Sequence, residues 1–168
     1  MILTVDDPDA AFARALSAGA TAASLGGALN APTCAGWTGK EMLAHVAFWD
    51  EAVVPAVVTM FRGQNLPPDW AFGSGDLGLG DGEWPAADVH NAREAAWART
   101  RPLTDVIERC DRAHHRLAAL LKSVTDGEYA DHAGYFAGLG AHYDEHLAEL
   151  ATSAAGRSLV DSERDPPA

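Results

Sequence analysis

Positive charge is scarce in this chain of 168 residues: 12 lysines and arginines stand against 24 aspartates and glutamates, a formal net charge of −12. A surface of that sign repels a phosphate backbone over most of its area, which argues against nucleic-acid binding. Long apolar runs are missing too. The most apolar stretch, Ala52 to Phe61, follows directly on His45, Asp50 and Glu51 and falls well short of the roughly 20 residues that span a bilayer. Met1 to Asp7 carries neither the basic residues nor the apolar core of a secretory signal. Two cysteines without CxxC spacing supply neither a disulfide framework nor a thiolate zinc site, so a reduced, cytoplasmic setting is expected. What is present suffices for one core: 48% hydrophobic and 21% charged residues are the proportions of a globular domain, expected over 1–160, with the polar stretch 161–168 as a frayed tail.

Helical signals dominate. Asp7-Pro8 reads as an N-cap with proline at the first helical position, after which Phe12, Leu16 and Ala20 recur every four residues. Paired glycines at Gly26-Gly27 predict the end of this first helix. Thr38-Gly-Lys-Glu41 has the form of a capping box and starts a second helix at Gly39. Advancing 100° per residue from His45 brings Met42, Val46, Trp49 and Val53 to the same side, so an imidazole belongs to the buried stripe. Pro55, inside the same helix, removes a backbone hydrogen bond and predicts a kink or break between Glu51 and Pro55.

No period persists from Arg62 to Pro85, a stretch rich in glycine that contains Trp70 and Trp84. It reads as a long loop, of a length often used for lids and binding loops. Ala86 to Thr100 looks helical, and Arg101-Pro-Leu-Thr104 bends the chain before a strongly amphipathic run: Leu103, Val106, Ile107, Cys110, Leu117, Leu120, Leu121 and Val124. Thr125-Asp-Gly127 reads as its stop, and a last helix is expected from about Asp131 to Ala155, closed by Gly156. The expected fold is all-α, an up-and-down four-helix bundle with a long loop between helices two and three.

His142-Tyr-Asp-Glu-His146 places two imidazoles four residues apart on one helix face, roughly 5–6 Å apart at Cβ, close enough to share one metal ion. The same letters fit the H-x-x-E-H pattern of inverzincin peptidases, but only 22 residues follow His146, so a third ligand is sought upstream. His45, facing the core of helix two, is the candidate, since in a bundle it can meet the inner face of the last helix. Three imidazoles would leave coordination positions open for water or substrate. Glu149 and Tyr135 fall within a few tens of degrees of the two histidines on the helical wheel and could orient a ligand or substrate; Glu145, offset by roughly 60° from His142, is a candidate base only if turned inward. Trp37 and Trp49 are candidate walls of the site. The adjacent His114 and His115 face different directions and are expected at the surface, and His90 and His132 carry no motif.

Trp37-Thr-Gly-Lys-Glu-Met-Leu-Ala-His45 resembles the tryptophan-led helix start and L-x-H motif of the DinB-like superfamily, also called YfiT-like metal-dependent enzymes, and His142-x3-His146 resembles its second histidine motif. Order and spacing agree across nearly the whole chain. Asn91-Ala-Arg-Glu and Asp105-Val-Ile-Glu look more like the ClbS/DfsB branch than the thiol-transferase branch. The resemblance implies that His45, His142 and His146 hold one divalent ion, zinc first and nickel or iron as substitutes. It also implies chemistry on small electrophilic molecules, by activated water or by a low-molecular-weight thiol cosubstrate such as mycothiol. The expectation is therefore a metal-dependent hydrolase or thiol S-transferase with a small-molecule substrate, no nucleic-acid or membrane partner, and a homodimer for which no exposed stripe marks the face. The competing expectation is a non-catalytic bundle that binds or sequesters a small molecule.

Overall fold

The computed structural model describes residues 8–24, 36–61, 87–131 and 142–151. The first of its helices is α1 (Pro8–Ser24), followed by α2 (Gly39–Phe61), α3 (Ala87–Arg99), α4 (Leu103–Leu121) and the short α5 (Asp126–Asp131); residues 142–151 are helical and form α6. The described residues contain no strand. The expected Arg62–Pro85 loop, the ends assigned at Gly26-Gly27 and Ala155, and the 161–168 tail lie outside the described residues.

The capping box forms as the sequence predicts. The Thr38 N–H donates to Glu41 Oε2 at 2.6 Å, and the Glu41 N–H donates to Thr38 Oγ1 at 3.2 Å, so two of the free donors at the start of α2 are satisfied. Glu41 is almost fully buried, and its other oxygen accepts from Arg99 Nε at 2.5 Å, which ties the start of α2 to the end of α3. Sequence reading missed a second box: Thr125 and Glu128 exchange the same pair of bonds, at 2.8 and 3.3 Å. The segment read as a stop after α4 therefore also starts α5. The expected break near Pro55 is not seen either, because α2 stays helical to Phe61.

α2 is the central element, packed along α4 and against α3 and α1. Pairings fix the directions. Glu41 meets Arg99 and His45 meets Asn91, so α3 runs antiparallel to α2; Lys40 reaches the Arg101 carbonyl and Glu51 meets Arg109, so α4 runs parallel to it. α6 is antiparallel, with Tyr143 against Asp50 and His142 and His146 against His45. α1 returns alongside, Arg14 pairing with Asp144 at 2.9 Å. Relative to α2, α4 thus runs the same way and α1, α3 and α6 the opposite way, an all-α bundle with α3 laid on α2.

Buried apolar side chains follow the helical period on every inner face: Phe12 and Ala15 on α1, Leu43, Val46 and Ala47 on α2, Val106, Cys110, Ala113 and Leu117 on α4, and Leu150 on α6. Burial pushes the Cys110 thiol well above its usual range, so it packs as a small apolar group. The core also holds a polar knot. Tyr143 donates its hydroxyl hydrogen to Asp50 Oδ1 at 2.6 Å, His114 Nδ1 lies 3.1 Å from the same hydroxyl and 3.6 Å from Asp50 Oδ2, and Phe12 stacks flat on the His114 ring at 3.8 Å. His114, expected at the surface, is buried, whereas His115 is exposed. Burial raises the Asp50 carboxyl above the ordinary carboxylate range, opposed by its hydrogen bonds with His114 and Tyr143.

At the outer seam Arg109 Nη1 donates to Glu94 at 2.5 Å, and Nη2 donates to Glu51 at 2.8 Å, while the guanidinium lies 4.7 Å from the Trp97 ring. Burial opposes its charge, but the bonds to Glu51 and Glu94 outweigh that and hold Arg109 protonated well above its ordinary range. One cation thereby joins α2, α3 and α4.

α1 and α2 approach closely at Gly39. A Cβ on Gly39 would lie 2.5 Å from the Gly19 carbonyl oxygen and 2.7 Å from the Ala22 Cβ, both on backbone or its nearest atom, which leave little room to yield. Gly39→Ala is expected to destabilise the fold by about 1–3 kcal/mol, the usual cost of overpacking, and to lower the melting temperature by several degrees. Thermal unfolding followed by circular dichroism checks it, and a melting temperature equal to the parent's would mean the helices separate freely.

Candidate metal centre

His45 reaches inward from the second turn of α2, while His142 and His146 stack one turn apart on α6. The His142 Nε2 lies 3.0 Å from His45 Nε2 and 3.1 Å from His146 Nε2, and one ligand atom from each ring falls within 4.8 Å of the others. His45 and His146 are buried and His142 is half-buried. Among the described residues no other group of His, Cys, Asp or Glu is arranged to hold an ion in this way.

The far nitrogens are tied to oxygen. His45 Nδ1 lies 2.8 Å from Asn91 Oδ1 on α3, and His146 Nδ1 lies 2.9 Å from Glu149 Oε2, three residues along α6. An amide oxygen and a carboxylate accept, so in the neutral rings Nδ1 carries the hydrogen and Nε2 presents a lone pair. His142 Nε2 faces both lone pairs, and one hydrogen there satisfies only one of them. A cation at the centre satisfies all three. An ion roughly 2.0–2.1 Å from each nitrogen sets its ligands about 2.9–3.4 Å apart, for bond angles between a right angle and the tetrahedral value; both measured separations fall in that window. The donor set and its orientation fit a divalent metal, and Asn91 and Glu149 fill the place of the acceptors that commonly orient ligating histidines.

Burial pulls the His45 pKa down to about 2, helped by His146 and His142 and opposed by the Asn91 bond; burial, then His146, pull His142 down to about 4. Both rings are therefore neutral ligands across the neutral and mildly acidic range. Trp37 and Trp49 lie 4.8 and 6.1 Å from the His45 ring, as centroids.

Of the other candidates, Glu149 is buried and bonded to His146, whereas Glu145 is exposed and has not been turned inward. Tyr135 and His132 lie outside the described residues. Asn91 was missed as a site residue, since nothing in its local pattern sets the distance between α3 and α2. His90, beside it, is buried and stacks on Phe48 at 4.7 Å, its pKa lowered by burial and by Arg93.

An all-α bundle with a three-histidine cluster on its second and last helices defines a class of metal-binding helical proteins. Within that class the family is shown: the profile of the DinB superfamily matches residues 11–153, and the chain belongs to that superfamily. Comparisons with curated proteins and with solved structures give no match.

The lowered histidine pKa values link to stability. In the unfolded chain His45 and His142 take up protons near pH 6.5, whereas in the folded, metal-free protein they stay neutral to about 2 and 4. The folded state is thus favoured fully above pH 6.5 and loses stability as pH falls below it, by up to about 1.4 kcal/mol per pH unit for each ring. Urea unfolding of the metal-free protein between pH 7.5 and 4.5 should show this decline, and it should be reduced in His45→Gln. A flat profile would mean the rings are solvated.

Proposed function

We propose that this protein is a metal-dependent enzyme acting on a small electrophilic molecule, with zinc as the first choice of ion and nickel or iron as substitutes. The observation that carries the assignment is the convergence of three imidazole Nε2 atoms, two of them with Nδ1 hydrogens already committed to oxygen acceptors. Three protein ligands are the number typical of catalytic rather than structural zinc sites, which close with four. When bound, the ion supplies Lewis acidity, which makes water or a low-molecular-weight thiol nucleophilic near neutral pH.

The chain's own residues do the rest. His45 and His142 present neutral donors, because burial disfavours their protonated forms, and His146 turns its Nε2 toward the same centre. Glu149 holds the proton at His146 Nδ1 and Asn91 that at His45 Nδ1. Trp37 and Trp49, both half-buried, screen the His45 side from bulk water. Hydrolysis and thiol transfer share these requirements and differ in the nucleophile admitted.

Three outcomes are expected. His142→Ala should lose most of its bound metal, measured by elemental analysis after purification with added zinc, while its far-ultraviolet circular dichroism stays helical, because the apolar core does not run through that side chain. Turnover of 1-chloro-2,4-dinitrobenzene, assayed with and without added glutathione or mycothiol, should require metal and disappear in His45→Ala. Equal metal stoichiometry in the His142 variant and the parent would sink the assignment. Saturating zinc should also raise the melting temperature of the chelated protein, by the equivalent of about 2.7 kcal/mol at a hundredfold excess over the dissociation constant.

A further inference from the structure

Asn91 stands on α3, outside the helix pair that carries the histidines, yet its side chain decides what His45 presents to the ion. Its Oδ1 faces two groups, His45 Nδ1 at 2.8 Å and Trp49 Nε1 at 3.4 Å. An indole nitrogen only donates. Turning the amide over would set its NH2 against the indole N–H, donor against donor, so Trp49 selects the orientation with the oxygen inward. That oxygen accepts, and the hydrogen it accepts from the imidazole must sit on Nδ1. His45 then has one neutral form available, with its Nε2 lone pair toward His142.

The position of Asn91 is itself held from both sides along α3. One residue earlier His90 stacks on Phe48 of α2, and three residues later Glu94 is bonded by Arg109. The amide therefore meets His45 as part of a fixed helix rather than as a loose side chain. Its chemistry also differs from its counterpart. His146 leans on the carboxylate of Glu149, which adds negative charge beside the ion, whereas His45 leans on an uncharged amide. The pair gives the centre one anionic and one neutral support.

We infer that Asn91 is a positioning residue for the metal centre: with Trp49 fixing its amide, it locks His45 in the Nδ1–H form and so sets the affinity of the three-histidine cluster for a divalent ion. The inference rests on the metal assignment above for its affinity consequence, but the hold on His45 exists without the ion.

Zinc affinity is measured by competition with a chromophoric chelator at pH 7.5 for the parent, Asn91→Leu and Asn91→Asp, and the tautomer of His45 by long-range ¹H–¹⁵N correlation on the metal-free proteins. The parent should show protonated Nδ1 and free Nε2. Asn91→Leu, close in size but without an acceptor, should bind zinc about 10–100-fold more weakly and show His45 as a mixture of tautomers. Asn91→Asp retains an acceptor oxygen and should rescue both, binding at least as tightly as the parent. A leucine variant with parental affinity and an unchanged His45 spectrum would overturn the inference, as would a parent in which His45 carries its hydrogen on Nε2. Should the parent bind no zinc, the metal assignment fails, and the spectra alone decide Asn91: loss of the Nδ1–H form in the leucine variant supports its hold on His45, and retention refutes it. A purely structural role for Asn91 would lower the melting temperature without moving the tautomer.

Discussion

The bundle depends on how closely other helices can approach α2. Glycine and alanine at its start let α1 lie nearly backbone to backbone against it, with Gly39 under the Gly19 carbonyl. Further along, Ala44 and Ala47 leave the buried faces free for larger groups brought by neighbours. His45 of α2 meets His142 and His146 of α6 across the bundle. Had α2 been lined with leucines, the interhelical distance would grow by ångströms, enough to part nitrogens that now stand 3.0 Å from one another.

Burial and hydrogen bonding divide the tasks inside this frame. Desolvation keeps His45 and His142 neutral and thus available as ligands; oxygen acceptors behind His45 and His146 decide which nitrogen holds the hydrogen. Neither effect alone gives a metal site. A buried, unoriented histidine presents either nitrogen, and an oriented but solvated one competes with protons. The superfamily match and the geometry agree on a helical fold with a three-histidine cluster that could hold a metal.

Much of this was legible in the letters. Thr38-Gly-Lys-Glu41 announced the start of α2, and His45 stood in its apolar stripe, because both depend on neighbours within a turn or two. The HxxxH pair was visible for the same reason. His114 was open to the same method: it lies four residues after Cys110 and three before Leu117, inside the buried stripe of α4, and its pairing with His115 drew attention from that register. Thr125-Asp-Gly-Glu128 likewise had the form of a capping box, masked by the turn chemistry of Asp-Gly. Asn91 was beyond such reasoning, since its role depends on the distance between two helices, which no local pattern encodes.

The bond between Tyr143 and Asp50 gives α6 a fixed phase. Tyr143 follows His142 directly, so the two side chains point about 100° apart, one into the core knot with Asp50 and His114, the other toward His45. Sliding α6 by a single residue would move it about 1.5 Å along its axis and turn it through that angle, taking the phenol out of reach of its carboxylate at the moment the imidazoles left their shared centre. A hydrogen bond on an adjoining face of the helix thus acts as an index pin: the cluster keeps its alignment through a contact outside its own ligands.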